Sequence, residues 1–246
     1  MKQENLKLKT DINDFKNAIV MPSFTSRYVG AGKELIEKTF GPEVAGMYGY
    51  DQKNPYHVYD LLIHSIRTVG GISPRGLTPE EFLNLRTAAL FHDIAKPQVA
   101  SWDEKKQRMR YFNHAGASAG AVEDLLVKLD FSETDIRQIL FLIAHHDDFT
   151  NFRSDRIIAE SGTDGYQRVN EKNLNRLIEK NAVKDGRLAD RREYLLLFRL
   201  CEADVNAQAQ TVTLNGKVVK HRENVLETLA AIRKCLKHME NSMKIT

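Results

Sequence analysis

Histidines and aspartates recur along this chain in one order: His64, the adjacent pair His92-Asp93, His114, the doublet His145-His146, and Asp204. Neutral imidazoles and carboxylates are the donors that suit divalent transition metals, and their order along the chain points to a metal centre. Asp204 carries the strongest physical argument. Leu197, Leu200, Cys201 and Asp204 fall at i, i+3, i+4 and i+7, so a carboxylate shares the core-facing stripe of a helix. A lone buried carboxylate costs several kcal/mol or gives up its charge, so it needs a positive partner. Lys96 stands one turn beyond His92-Asp93, where an ammonium could neutralise a phosphate oxygen beside a metal.

The rest of the chain must bring those groups together. At 246 residues it is long enough for one well-buried core, and residues 1–246 are expected to form a single domain. Cys201 and Cys235 make neither a C-x-x-C pair nor a disulfide framework, which fits a reducing, cytoplasmic setting. The start, MKQENLKLKTDINDFK, is charged throughout, and no run approaches the roughly 20 apolar residues of a membrane span. Net charge is +3. Residues 217–246 hold seven Lys or Arg against three Glu, so the remainder is nearly neutral. That segment reads as a C-terminal helix with a solvated basic face.

Helical periodicity dominates, so an all-α bundle is expected. A helix over about 56–69 is apolar nearly all round, and would place His57, Asp60 and His64 on one face. The next helix starts with Thr78 as N-cap, Pro79 and Glu81, and runs into His92. Another starts at Ser132, with Asp135 three residues on, and ends at His145-His146. Helices near 114–129, 189–208 and 221–240 complete the set. Residues 150–170 read as an irregular surface loop, and TVTLNGKVV as one small hairpin around Asn215-Gly216. Trp102, within SWDEKKQRMR, reads as a loop packing anchor or as an aromatic that could stack on a base.

LFHDIAKP, preceded by YHVYDLLIHS and followed by LCEADVNAQ, resembles the HD-domain superfamily of metal-dependent phosphohydrolases. The wording is similar to the HD domain attached to bacterial tRNA nucleotidyltransferases. The resemblance spans a core of about 55–210 and leaves residues 1–50 as an N-terminal extension without counterpart. It implies that His64, His92, Asp93 and Asp204 hold a first metal, that Asp93 reaches a second, and that His114 with His145 or His146 completes the site. It also implies a phosphate contact for Lys96. Asp60 would be a further ligand or, preferably, an acceptor fixing the His64 tautomer. His57 is expected to be a hydrogen-bonded core histidine beside the centre. The family's usual glycine is replaced by Ala95, and no carboxylate motif of a polymerase head is present, so nucleotide addition is not expected.

The activity so implied is hydrolysis of a phosphomonoester or phosphodiester, in a nucleotide or at a nucleic-acid end, by a water activated on one or two ions of Mn, Fe, Co or Ni. Arg67, one turn past His64, is a candidate substrate contact, although its position also suits an exposed arginine. Two rivals use the same residues: an HD-type di-iron oxygenase, and a nucleotide- or RNA-binding module without turnover. Selectivity is expected from residues 150–170 and from the first 50.

Overall fold

The computed structural model describes residues 12–162, 165–187, 190–214 and 216–243. It is an all-α bundle. A helix over 12–20 (α1) is followed by α2 (Phe24–Tyr28), α3 (Lys33–Phe40) and α4 (Pro42–Ala45), then by α5 (Leu61–Gly71), α6 (Pro79–Phe91) and the single turn α7 (Lys96–Val99). After a hairpin come α8 (His114–Lys128), α9 (Glu133–His145), α10 (Asp155–Ser161), α11 (Glu171–Asp185), α12 (Arg191–Asn206) and α13 (His221–Met243). Helix α5 packs against α6 and α12, while α9 packs against α6, α8 and α12. The helices that carry the His and Asp residues are therefore mutual neighbours.

Local chemistry sets the starts. In α6, the Thr78 hydroxyl accepts from Glu81 N–H at 3.1 Å and Glu81 accepts from Thr78 N–H at 3.0 Å, the expected capping box. Ser132 caps α9 by accepting from Asp135 N–H. Helix α5 starts five residues later than the apolar pattern suggests, because Asp60 is itself the N-cap and accepts from Ile63 N–H at 2.8 Å. His57 thus lies before the helix and shares no helical face with His64. At the other end of α5, a methyl on Gly71 would meet Ala203 of α12 at 3.2 Å, so glycine permits the close approach that brings His64 towards Asp204.

Among the described residues, three two-stranded ladders flank the helices where one hairpin was expected. They are β1 (Ala100–Asp103) with β2 (Arg108–Tyr111), β3 (Phe152–Arg153) with β4 (Gln167–Arg168), and β5 (Val212–Leu214) with β6 (Lys217–Val219). The last is the expected hairpin; Gly216 takes φ +75° in its turn, and Asn215 lies outside the described residues. The charged Trp102 segment is a hairpin because the turn at Glu104–Gln107 is held by Asp103 accepting from Lys105 and Lys106 N–H, a device without hydrophobic periodicity. The described residues of 150–170 include a helix and two short strands rather than an irregular loop alone. Ser154 caps α10, and Ile157 is buried there.

One cluster of buried apolar side chains runs from Phe15 to Met239. Phe15 stacks on Phe91 with ring centroids 5.9 Å apart, so α1 braces the end of α6 just before His92-Asp93. Arg86 lies buried between Phe24 and Phe82, and burial pushes its pKa down to about 10. Helix α13 buries Leu229, Ile232, Leu236 and Met239 and leaves its basic residues largely outside. No helix among the described residues is long and apolar enough to cross a membrane.

Glu81 also joins the starts of α6 and α12, taking two bonds from Arg192 at 2.7 and 2.6 Å. Arg192 holds the Glu81 carboxyl below its ordinary range, so this contribution is present above the unfolded value of about 4.3 and is lost as pH falls through the folded one. Glu81→Gln, which can still cap, should cost about 1 kcal/mol in urea unfolding at pH 7. The variant should match the parent near pH 3; a difference that persisted there would assign the loss to the cap.

Candidate metal centre

Five elements converge on one polar pocket. His64 comes from the middle of α5, His92-Asp93 from the turn that ends α6, His114 from the first residue of α8, and His146-Asp147 from the end of α9. Asp204 comes from the last turn of α12. His64, His92, Asp93 and His146 are at most 4 % exposed.

The imidazoles are held in one tautomer by a repeated device. Nδ1 of His92, His114 and His146 lies 2.9, 2.8 and 2.8 Å from the carbonyl oxygen three residues upstream, of Ala89, Tyr111 and Ile143. A carbonyl can only accept, so each Nδ1 carries the proton and each Nε2 turns a lone pair inward. Nε2 of His114 and His146 are then only 3.1 Å apart. Two facing lone pairs repel unless a cation or an extra proton lies between them.

The carboxylates close the arrangement. Asp204 Oδ1 is 2.9 Å from His64 Nε2 and 3.7 Å from His92 Nε2. Asp93 faces two ways: Oδ2 is 3.2 Å from His92 Nε2 and 3.6 Å from His64 Nε2, whereas Oδ1 is 3.2 Å from His114 Nε2 and 3.6 Å from His146 Nε2. His64 Nε2, His92 Nε2, Asp93 Oδ1 and Asp204 Oδ1 are buried without an aligned hydrogen-bond partner, despite these short separations. The His64, His92 and Asp204 atoms face one another, whereas Asp93 Oδ1 faces His114 and His146. Ligands about 2.1 Å from one ion lie about 3 Å from each other, the spacing found here. His64, His92 and Asp204 form one group that could hold an ion; His92, Asp93 and His146 form a second, and His114, His146 and Asp147 a third.

Charge points the same way. With neutral imidazoles, Asp93, Asp147 and Asp204 bring three negative charges against the single ammonium of Lys96, whose Nζ is 2.6 Å from Asp93 Oδ2. Burial opposes a charge on His92, yet Asp93 and Asp204 push its pKa up to about 10. Burial also opposes charge on Asp204, but His64 and His92 hold its carboxyl well below the usual range. A pocket that retains a proton so firmly is equally suited to a metal cation.

Other expected residues fall elsewhere. Both nitrogens of His145 face carboxylates away from the pocket, Nδ1 on Asp148 at 2.9 Å and Nε2 on Asp185 at 3.0 Å, so the doublet resolves in favour of His146. One step along a helix turns the side chain by about 100°. Asp60 is used up as a cap, and His64 Nδ1 has no hydrogen-bond partner, so Asp60 does not fix that tautomer. Arg67 is exposed and lies over the Tyr59 ring at 4.3 Å; it lines neither cavity at the site. His57 does stand beside the centre, 3.4 Å from Lys96 Nζ, and burial with the nearby Lys96 keeps its pKa well below normal. The described residues of the N-terminal extension, 12–50, line neither cavity, because their apolar faces are spent on the core.

Lys96 is buried, not exposed, and also donates to Gln52 Oε1 at 2.9 Å. Gln52 was missed by sequence reading, since an isolated glutamine has no pattern. Tyr111 donates its hydroxyl to the Gln52 carbonyl and so anchors it. Asp147 was also missed, although its place directly after His145-His146 was a readable signal. Ala95 needs no glycine conformation: its φ is −90°, and its N–H donates to Ser118 Oγ at 3.1 Å.

Fold and site together define a helical protein built to present imidazoles and carboxylates to divalent cations. Residues 61–195 match the HD domain, and the chain belongs to that family. Asp204 lies beyond the matched segment and reaches the site through α12. The chain is also 31% identical over 122 residues to the CC-adding tRNA nucleotidyltransferase of Thermus thermophilus, an alignment covering 48% of this chain and 27% of that protein. The chain thus spans about a quarter of that relative's length.

Metal analysis after dialysis against Mn should separate the two histidine environments. Asp93→Asn should lose nearly all bound metal, whereas His145→Gln should retain it if the protein remains folded. Equal loss in two variants with intact helical circular dichroism would contradict the division.

Proposed function

We propose that the protein is a metal-dependent phosphohydrolase that cleaves a phosphomonoester or phosphodiester of a nucleotide or nucleic-acid end. The observation that carries this reading is the two-faced Asp93, one oxygen towards His64 and His92 and the other towards His114 and His146. In this reading His64, His92, Asp93 and Asp204 hold one ion, and Asp93, His114, His146 and Asp147 a second. Divalent ions there would acidify a water and neutralise the phosphoryl oxygens and the leaving oxygen. The mixed nitrogen and oxygen donors favour Mn, Fe, Co or Ni.

The chain's own residues supply the rest. A cavity of about 190 Å³, lined by Asn54, His57, Lys96, Tyr111 and Gln208 as well as the centre, is the seat for the phosphoryl group. Lys96, pinned by Asp93 and Gln52, adds a fixed charge without reorganising as the reaction proceeds. His57, kept neutral, leaves Lys96 free of a competing cation. In the reaction a water oxygen joins phosphorus, the bond to the ester oxygen breaks, and the alcohol leaves with a proton.

A nucleic-acid end as substrate draws support from the β1–β2 hairpin. Trp102 is 44% and Phe112 62% exposed, and both line a shallow surface groove with Lys105, Lys106 and Arg110. Aromatics interleaved with basic groups suit stacking and phosphate contacts on a single strand. The relative's name attaches it to tRNA, which is consistent with an RNA end.

Phosphate release from nucleotide substrates should require added Mn, Co or Ni and continue without oxygen; arrest under anaerobic conditions would favour the oxygenase. His92→Ala and Asp93→Ala should each abolish turnover, and full turnover in both would end the assignment. Lys96→Gln should lower kcat by about a hundredfold with metal content unchanged.

A further inference from the structure

Beside the centre lies a second, larger cavity of about 500 Å³ that shares His57, His146, Asp147, Asp204 and Gln208 with the phosphoryl seat. Its far wall comes largely from α13 and the β5–β6 hairpin, outside the segment that matches the family. Val225 and Leu229 of α13, together with Phe149 and Phe152 and with Cys201 and Val205 of α12, make the cavity largely apolar. At its edge Tyr56 and His221 lie with ring centroids 4.8 Å apart.

Most of the hydrogen-bonding groups on the wall are already engaged: Arg153 donates to the Thr150 and Phe152 carbonyls and lies over the Tyr166 ring, and Asn224 accepts from Arg156. Thr228 accepts from Ser154 N–H at 3.2 Å and donates to the Asn224 carbonyl at 3.1 Å. Thr150 donates to the Asp147 carbonyl at 2.6 Å, and Cys201 to the His146 carbonyl at 3.1 Å. Gln208 Oε1 pairs with His221 Nε2 at 2.8 Å while its Nε2 donates to Asp204 at 3.0 Å. Rings and methyl groups make up most of what remains to recognise a ligand, in a volume within the 300–1,000 Å³ usual for small-molecule sites.

We infer that this cavity receives the organic group of the phosphoester, and that it selects flat aromatic groups by shape and stacking without reading their hydrogen-bonding edges. The inference rests on the phosphohydrolase reading and narrows it. Phosphoesters of small alcohols or of hydroxyl-rich sugars leave this wall uncovered and are poor substrates. Different nucleobases, being similar flat surfaces, are handled alike.

The test compares benzyl phosphate, adenosine monophosphate and uridine monophosphate with ethyl phosphate and glycerol phosphate, on the full chain supplied with Mn. All five leave as alkanols, so leaving-group reactivity does not sort them. Benzyl phosphate should exceed ethyl phosphate in kcat/KM by about tenfold or more, mostly through KM. The two nucleotides should lie within about tenfold of each other; a ratio on the order of 10⁴ would reveal base-edge reading and overturn the inference. Calorimetry gives a readout without turnover: benzylphosphonate should bind about tenfold more tightly than ethylphosphonate, and Val225→Trp should bring that ratio towards one. Equal constants for the benzyl and ethyl compounds in the parent protein would overturn the cavity assignment and leave hydrolysis standing. Tight benzylphosphonate binding with no ester turned over would support the cavity and end the hydrolase reading.

Discussion

The constraint behind this structure is a local excess of negative charge in a pocket of low water content. Asp93 and Asp204 are buried, Asp147 stands at the edge, and Lys96 is the one ammonium set among them. Such a pocket is stable only with a cation or with protons on its imidazoles. Each imidazole whose Nδ1 is committed to a backbone carbonyl has one nitrogen left, and that nitrogen faces the carboxylates. Backbone geometry thus decides which nitrogen is available, and helix packing decides where it points.

That requirement explains why the ligating candidates sit at helix ends. His92-Asp93 follows the last residue of α6, His114 opens α8, and His146 follows α9. A helix end releases the backbone from its regular path, so adjacent residues such as His92 and Asp93 can both face one point, which an uninterrupted helix would not allow. Two braces hold these ends. Phe15 stacks behind Phe91, and His145, clamped between Asp148 and Asp185, fixes the segment that carries His146 and Asp147. His145, one of the two alternatives for a ligand, is thus engaged as a clamp by the same chemistry that marked it as a candidate.

Much of this was legible in the sequence, for physical reasons that differ by residue. The α6 cap was readable because a capping box is local, and Asp204 because an acid on an apolar stripe violates the helical pattern. The start of α5 was misplaced because Asp60 was read as part of a polar face, when an aspartate before an apolar run is also an N-cap signal. Gln52 and the choice between His145 and His146 depend on contacts between distant segments, which no spacing encodes. Gly, Ser and Asp mark turns, so the composition of 150–170 reads as irregular. Its described residues include α10 and a short ladder, whose buried Phe152 and Ile157 supply the apolar anchors.

The division of the pocket follows from the same charge argument. Anionic groups cluster where α5, α6, α8, α9 and α12 meet, and beyond them Phe149, Phe152, Val205, Val225 and Leu229 make the larger cavity mainly apolar. A phosphoester is itself divided, with an anionic head that the centre would attract once it holds cations and an organic part that gains nothing from that field. Placing an apolar wall beside the charged seat orients such a molecule by partition alone: each half is disfavoured in the other's compartment. In the proposed reaction the phosphorus would be held near Asp93 and Lys96, and binding energy from the remote half would be available to position the reacting one.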